Sequence, residues 1–262
     1  SLRDQLFPSL DPSYGACDFC GTADTQLVEP GKLANYFELL VNVYEPSEDG
    51  KSLVEWMKDD WQLFSHQRRD TAHAKELLGE ILDDGEIVRK SFAPSPSYIS
   101  EGLAQWDKLR DEMMYGNRWF LDVAIDLDRL EQLFGMLLAS QLPRQWYRAR
   151  ILAEDQVFPI EKMGAPPERR SSHGRANPAG IPYLYLGSIP ETAVAEIRPH
   201  TGELACVADF TIPDIKVVDL RNPRKLVSPF ILSESSEISQ LRADLPFLER
   251  LGEELTRPVQ PS

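Results

Sequence analysis

The sequence predicts an α+β protein in two parts, and three observations carry that reading. Apolar residues recur at helical spacing as far as Pro143. Beyond it the chain breaks into short apolar runs divided by glycine and proline. Arginines, aromatics and turn residues concentrate in one stretch, residues 146–200.

In chain order, residues 1–31 are rich in Pro, Gly and Asp and read as an irregular arm. Leu33–Tyr44 is the first apolar helix, and Pro46 with Glu48-Asp49-Gly50 is a turn. Leu53, Trp56, Met57, Trp61 and Phe64 keep a period near 3.6, with Ser52 and Glu55 spaced as a capping box in front of them. Thr71–Leu82 is a second helix, stopped by Asp83-Asp84-Gly85, and Pro94-Ser95-Pro96-Ser97 is a loop. Ser100–Tyr115 returns to helical spacing, and Asp126 is placed to cap a helix over Leu127–Ala139.

After Pro143 the spacing predicts strands at Trp146–Leu152, Tyr183–Leu186, Leu204–Ile212 and Ile215–Asp219. A short helix is expected at Glu191–Ile197 and a longer helical stretch at Phe230–Thr256. The expected organisation is an arm at 1–31, a helical domain at 32–142 and an α+β domain at 143–262.

Composition narrows the function. With 42% apolar and 27% charged residues, the chain has the balance of a soluble globular protein. No apolar run reaches the roughly 18–20 residues of a membrane span, and the N-terminus lacks a signal-peptide pattern, so a cytoplasmic protein with no membrane partner is expected. A net charge of −14 opposes phosphate-backbone binding and argues against a nucleic-acid partner. Between Arg144 and Arg175, however, seven bases stand against four acids, a local excess that suits a small anionic ligand.

Three cysteines make no disulfide framework. Cys17-x-x-Cys20 followed by Gly21 has the spacing of one zinc-ribbon knuckle. A structural zinc takes four ligands and no second pair follows, so the knuckle reads as a turn and no metal is expected. Cys206, inside an apolar run, reads as a buried thiol.

The second part then carries a resemblance. Tyr147-Arg148, Gly174-Arg175-x-Asn177-x-x-Gly180-x-Pro182, Tyr185-Leu186 and Glu196 in an Ala-rich helix follow one another in the order of the RES family, named for Arg, Glu and Ser, whose members often act as toxins of toxin-antitoxin pairs. The first part, with its Cys-x-x-Cys knuckle, Ile87-Val88-Arg89-Lys90, Trp106 and Asn117-Arg118-Trp119-Phe120, resembles the HEPN-like domain fused ahead of some RES domains.

The resemblance implies a fold like that of ADP-ribosyltransferases, with NAD as the substrate and its nicotinamide-ribose bond broken. Arg148 and Arg175 then become clamps on the pyrophosphate, because the guanidinium fork grips such oxygens bidentately. Glu196 faces the cationic, oxocarbenium-like ribose. Tyr185 is a stacking wall for nicotinamide, and Asn177 is a further contact; Arg150 and His200 are weaker candidates. Taken singly, each residue has an ordinary reading: a surface arginine, a solvated helix glutamate, a turn asparagine, a core tyrosine. Their joint occurrence in family order raises the functional one.

An antitoxin partner is implied by the family, and self-association through the helical part is expected. Members of this architecture continue past a Leu-Thr-Arg-Pro-like segment, so the C-terminal part is expected to be cut short; Ser228, Ser233, Ser235 and Ser236 are the serines left for the namesake role. The acceptor of the ADP-ribose, whether water, phosphate or a protein side chain, stays open. So do two other classes: a non-catalytic binding module, and a HEPN-type ribonuclease on the Arg-x4-6-His spacing of Arg68, Arg69 and His73.

Overall fold

In the computed structural model the chain is α+β, with helices and small two-stranded sheets, described over residues 6–66, 70–116, 120–139, 141–152, 156–167, 171, 174, 177 and 180–256. The elements in order are β1 (Ser13–Gly15), β2 (Thr25–Leu27), α1 (Ala34–Val41), β3 (Tyr44–Lys51), α2 (Leu53–Trp61), α3 (Thr71–Leu82), β4 (Phe92–Pro94), α4 (Gly102–Tyr115), α5 (Leu127–Met136), β5 (Gln145–Ile151), α6 (Pro190–Ile197), β6 (Ala205–Thr211), α7 (Pro223–Leu226) and α8 (Ser235–Thr256). They gather into two compact units, one of Ser1–Leu137 with Leu220–Leu251, the other of Leu138–Asp219 with Gly252–Ser262. Among the described residues no helix is long and apolar enough to cross a membrane.

Where the sequence carries capping chemistry, helices start as expected. Glu55 accepts hydrogen bonds from the Ser52 backbone N–H (3.0 Å) and hydroxyl (2.6 Å), which draws its pKa down. Asp70 accepts from the His73 N–H and Asp126 from the Arg129 N–H, each at 2.9 Å. Helix α3 stops at Asp83, whose left-handed φ of 50° ends the run.

Strand β3 departs from expectation. Its Pro46 and Gly50 read as turn residues, yet the segment pairs antiparallel with β4, with a register shift between Pro46 and Lys51. A bulged edge tolerates proline, and Gly50 serves close approach: a Cβ there would lie 2.0 Å from the Phe92 carbonyl oxygen. The hairpin of β1 and β2 encloses the cysteine knuckle, a turn closed by Cys17 N–H to Thr22 O at 2.9 Å and Gly21 N–H to Cys17 O at 2.7 Å. Among the described residues no group of three or more His, Cys, Asp or Glu is arranged to hold a metal ion.

The first unit buries Leu40, Met57, Leu78, Leu133, Leu241 and Leu245, each worth about 1.5–3 kcal/mol of transfer free energy. Into this core it also takes a charge network. The Asp60 carboxylate, 6% exposed, accepts from the Tyr44 hydroxyl (3.0 Å) and from Arg242 Nε (2.6 Å), and it faces Arg224, which also pairs with Glu249 at 2.5 Å. Burial, then the Asp60 charge, pushes the Tyr44 phenol well above its usual range. Asp60 thus joins α2, β3, α7 and α8. Replacing Asp60 with Ala leaves Arg242 and a buried tyrosine hydroxyl without their acceptor, and the expected loss is about 3 kcal/mol of unfolding free energy. Urea denaturation of Asp60→Ala showing a loss below about 1 kcal/mol would place these groups in effective contact with water instead.

Candidate functional site

The second unit is built on β5. Its seven residues pair antiparallel with β6, from Gln145↔Thr211 to Ile151↔Ala205, and on the other edge Tyr147 exchanges two backbone hydrogen bonds of 2.8 Å with Gly187. Among the described residues that single bridge is all the regular pairing the expected strand at Tyr183–Leu186 leads into, since 183–186 carry no regular structure. Likewise, expected strand Ile215–Asp219 contributes only the Leu138↔Val218 bridge. Cys206, on β6, is half-buried rather than buried.

Helix α6 packs against β5. Gly187 permits the approach, since a Cβ there would lie 2.6 Å from the Ala193 backbone nitrogen. Pro190 opens the helix with its φ already set, and the short turn at Ala193 is buried.

Between β5, α6 and the loop carrying Gly174 and Tyr185 lies a cleft of about 380 Å³, within the range of small-molecule sites. It is lined by Arg148, Tyr185 and Glu196, three residues expected from the sequence to share a site, and also by Gly174, Gly187, Ala193 and Arg198. Arg175 lies outside the described residues, as do Arg68 and Arg69.

Each wall has a physical cause. Arg148 Nη1 donates to the carbonyl of Met163 at 3.1 Å and to that of Gly164. Arg150 Nη1 donates to the Lys162 carbonyl at 2.5 Å, and its guanidinium lies 4.2 Å from the Phe158 ring centroid. Partial burial, then repulsion from Arg150, lowers the Arg148 pKa; an arginine so far above neutrality stays charged all the same. Neither arginine meets a carboxylate among the described residues, so two cations are oriented by neutral carbonyls.

The opposite wall depends on Asn177, which is 5% exposed and does not line the cleft. Its carboxamide oxygen accepts from the Tyr185 hydroxyl at 2.7 Å, while its nitrogen donates to the Ile181 carbonyl at 2.9 Å and to Ser171 Oγ at 3.3 Å. The sequence singled out Asn177 as a ligand contact; the structure sets it behind Tyr185 as the group that orients the ring. Glu196 sits one residue from the end of α6, where the helix dipole disfavours negative charge. Such a placement costs stability unless a cation answers it. His200 lies beyond the helix and does not line the cleft; its N–H donates to Glu203 at 2.6 Å.

The strand bearing Arg148, the glycine-rich loop and the helix bearing Glu196 stand in one cleft in the order that the sequence motifs follow. Residues 145–255 match the RES domain. This RES match covers β5, the cleft, α6 and β6 and extends through α7 into α8, so it draws on residues of both compact units. Nothing among the comparisons supports the HEPN-like resemblance of the part before residue 145. No curated protein and no solved structure matches the chain.

Sequence reasoning passed over Ser171, Gly187 and Arg198. Gly174 is the most exacting position in the cleft: an added Cβ would lie 2.4 Å from Asn177 Oδ1 and 2.6 Å from the Tyr185 hydroxyl. Gly174→Ala must therefore displace that hydrogen bond, and the expected cost is about 1–3 kcal/mol, read by urea unfolding. A neutral substitution would show that the Asn177 to Tyr185 contact does not set the wall.

Proposed function

We propose that the protein cleaves the nicotinamide-ribose bond of NAD in this cleft and passes the ADP-ribose to water or phosphate, on a fold related to the ADP-ribosyltransferases. One observation carries the reading: a cation that meets no carboxylate among the described residues, Arg148, a carboxylate, Glu196, and an aromatic residue, Tyr185, line the same cleft. The RES match over the same residues supports it.

The chemistry requires that combination. NAD brings a pyrophosphate dianion, a flat nicotinamide and a ribose that turns cationic as the C–N bond breaks. Nicotinamide leaves with the bonding electron pair as a neutral base. Arg148, partly buried and held by two carbonyls, offers its remaining N–H groups to phosphate oxygens. Tyr185, fixed through Asn177, gives nicotinamide a rigid face. Glu196 supplies negative charge where the ribose becomes oxocarbenium-like, so its effect falls on the transition state more than on the bound substrate. The acceptor oxygen then adds to C1 of the ribose and loses its proton. An enzyme of this kind depletes a cofactor its own cell needs, so an antitoxin protein that covers the cleft belongs to the same proposal.

Glu196→Gln separates these roles. The amide keeps the size and most hydrogen bonds but removes the charge, so turnover is expected to fall roughly a hundredfold or more, the scale for electrostatic groups facing a developing charge, with NAD affinity changed only a few-fold. Nicotinamide release measured beside an NAD binding isotherm checks both. A variant that turns over within a few-fold of the parent removes Glu196 from the reaction.

A further inference from the structure

Among the described residues of the second unit, Arg198 is the one non-glycine with positive φ: it closes α6 at φ 46°, ψ 60°. A helix end in this left-handed conformation favours glycine or asparagine, because a Cβ crowds the following carbonyl. The next residue is Pro199, which narrows the preceding backbone further. An arginine here is a costly choice for the fold, and such costs gather where a side chain has work to do.

Arg198 lines the same cleft as Arg148 and Glu196. Its backbone N–H is used, donating to the Ala195 carbonyl at 3.2 Å, but its guanidinium makes no hydrogen bond or ion pair among the described residues. In a chain of net charge −14, where Arg129, Arg224 and Arg242 of the first unit each meet a carboxylate, a cleft-lining arginine that meets none among the described residues stands apart. Glu196, two positions earlier, does not face it along the helix.

We propose that Arg198 is a second phosphate-holding residue of the cleft, gripping the phosphate nearer solvent while Arg148 holds the one nearer the sheet. This rests on the NAD reading and makes it more specific: the cleft selects for a paired-phosphate ligand, and the left-handed arginine is kept at the expense of helix stability. A planar guanidinium presents a fixed fork to two phosphate oxygens, which the single ammonium of a lysine does not.

The test exploits the strain. Arg198→Gly and Arg198→Asn both suit a left-handed backbone, so both are expected to fold and to melt at or up to about 2–4 °C above the parent. Both are expected to bind NAD and ADP-ribose about tenfold or more weakly, the scale for a lost charge-assisted hydrogen bond. Calorimetric titration of the two ligands into the parent and the two variants, with thermal unfolding alongside, reads both effects. Unchanged affinity in the variants overturns the assignment and leaves the NAD reading standing. Weaker binding together with a melting point several degrees lower makes Arg198 structural and also overturns it. A parent that binds neither ligand overturns the NAD reading itself, and this assignment with it.

Discussion

The hydrogen bond from the Tyr185 hydroxyl to the Asn177 carboxamide, 2.7 Å long, is the constraint on which the cleft depends. Asn177 is buried, and a buried amide that lost its partners would cost about 1–3 kcal/mol. Ser171 Oγ and the Ile181 carbonyl accept from its amide nitrogen, and Gly174 leaves the space in which carboxamide and phenol meet. From there the ring of Tyr185 becomes a fixed wall. Two residues on, Gly187 ties the loop to β5 and lets α6 settle against the strand. Through this sequence of contacts, a turn-rich stretch brings Arg148 and Glu196 into one cleft.

The two units treat charge differently. In the first, arginines are matched: Arg129 with Asp244 at 2.8 Å, Arg224 with Glu249, Arg242 with Asp60. Such pairs fix geometry and leave little field outside. In the second, Arg148 and Arg150 are held by backbone carbonyls and Arg198 is held by nothing described, so their positive charge remains available to a ligand. A cleft lined by Arg148 and Arg198, neither of which meets a carboxylate among the described residues, in a chain of net charge −14 favours a small anion over a long one.

Much of this was legible in the sequence wherever chemistry acts locally. Capping residues Ser52 and Asp126 marked helix starts because an N-cap bond spans only three residues. Strand β3 was hidden because Pro46 and Gly50 act through a distant partner: Gly50 is small for the sake of the Phe92 carbonyl, a contact that no local pattern encodes. The Tyr183–Leu186 run is a short apolar segment like a strand, but among the described residues the pairing it leads into is the bridge at Gly187. Arg148, Tyr185 and Glu196, which motif order groups, line one cleft. The hydrogen bond of Asn177 to Tyr185 was not legible, since a turn asparagine looks the same in sequence whatever it pairs with, here a tyrosine eight residues away. Arg198 escaped notice for a related reason: what marks it is a dihedral angle.

The central claim is that this cleft breaks a glycosidic bond in NAD, and the products test it most directly. The protein incubated with NAD, once in phosphate-free buffer and once with phosphate, should release free nicotinamide in step with ADP-ribose or its phosphate ester, resolved by mass spectrometry. Intact NAD in both incubations, at protein concentrations where binding is saturated, would contradict the account and leave the cleft a binding site without chemistry.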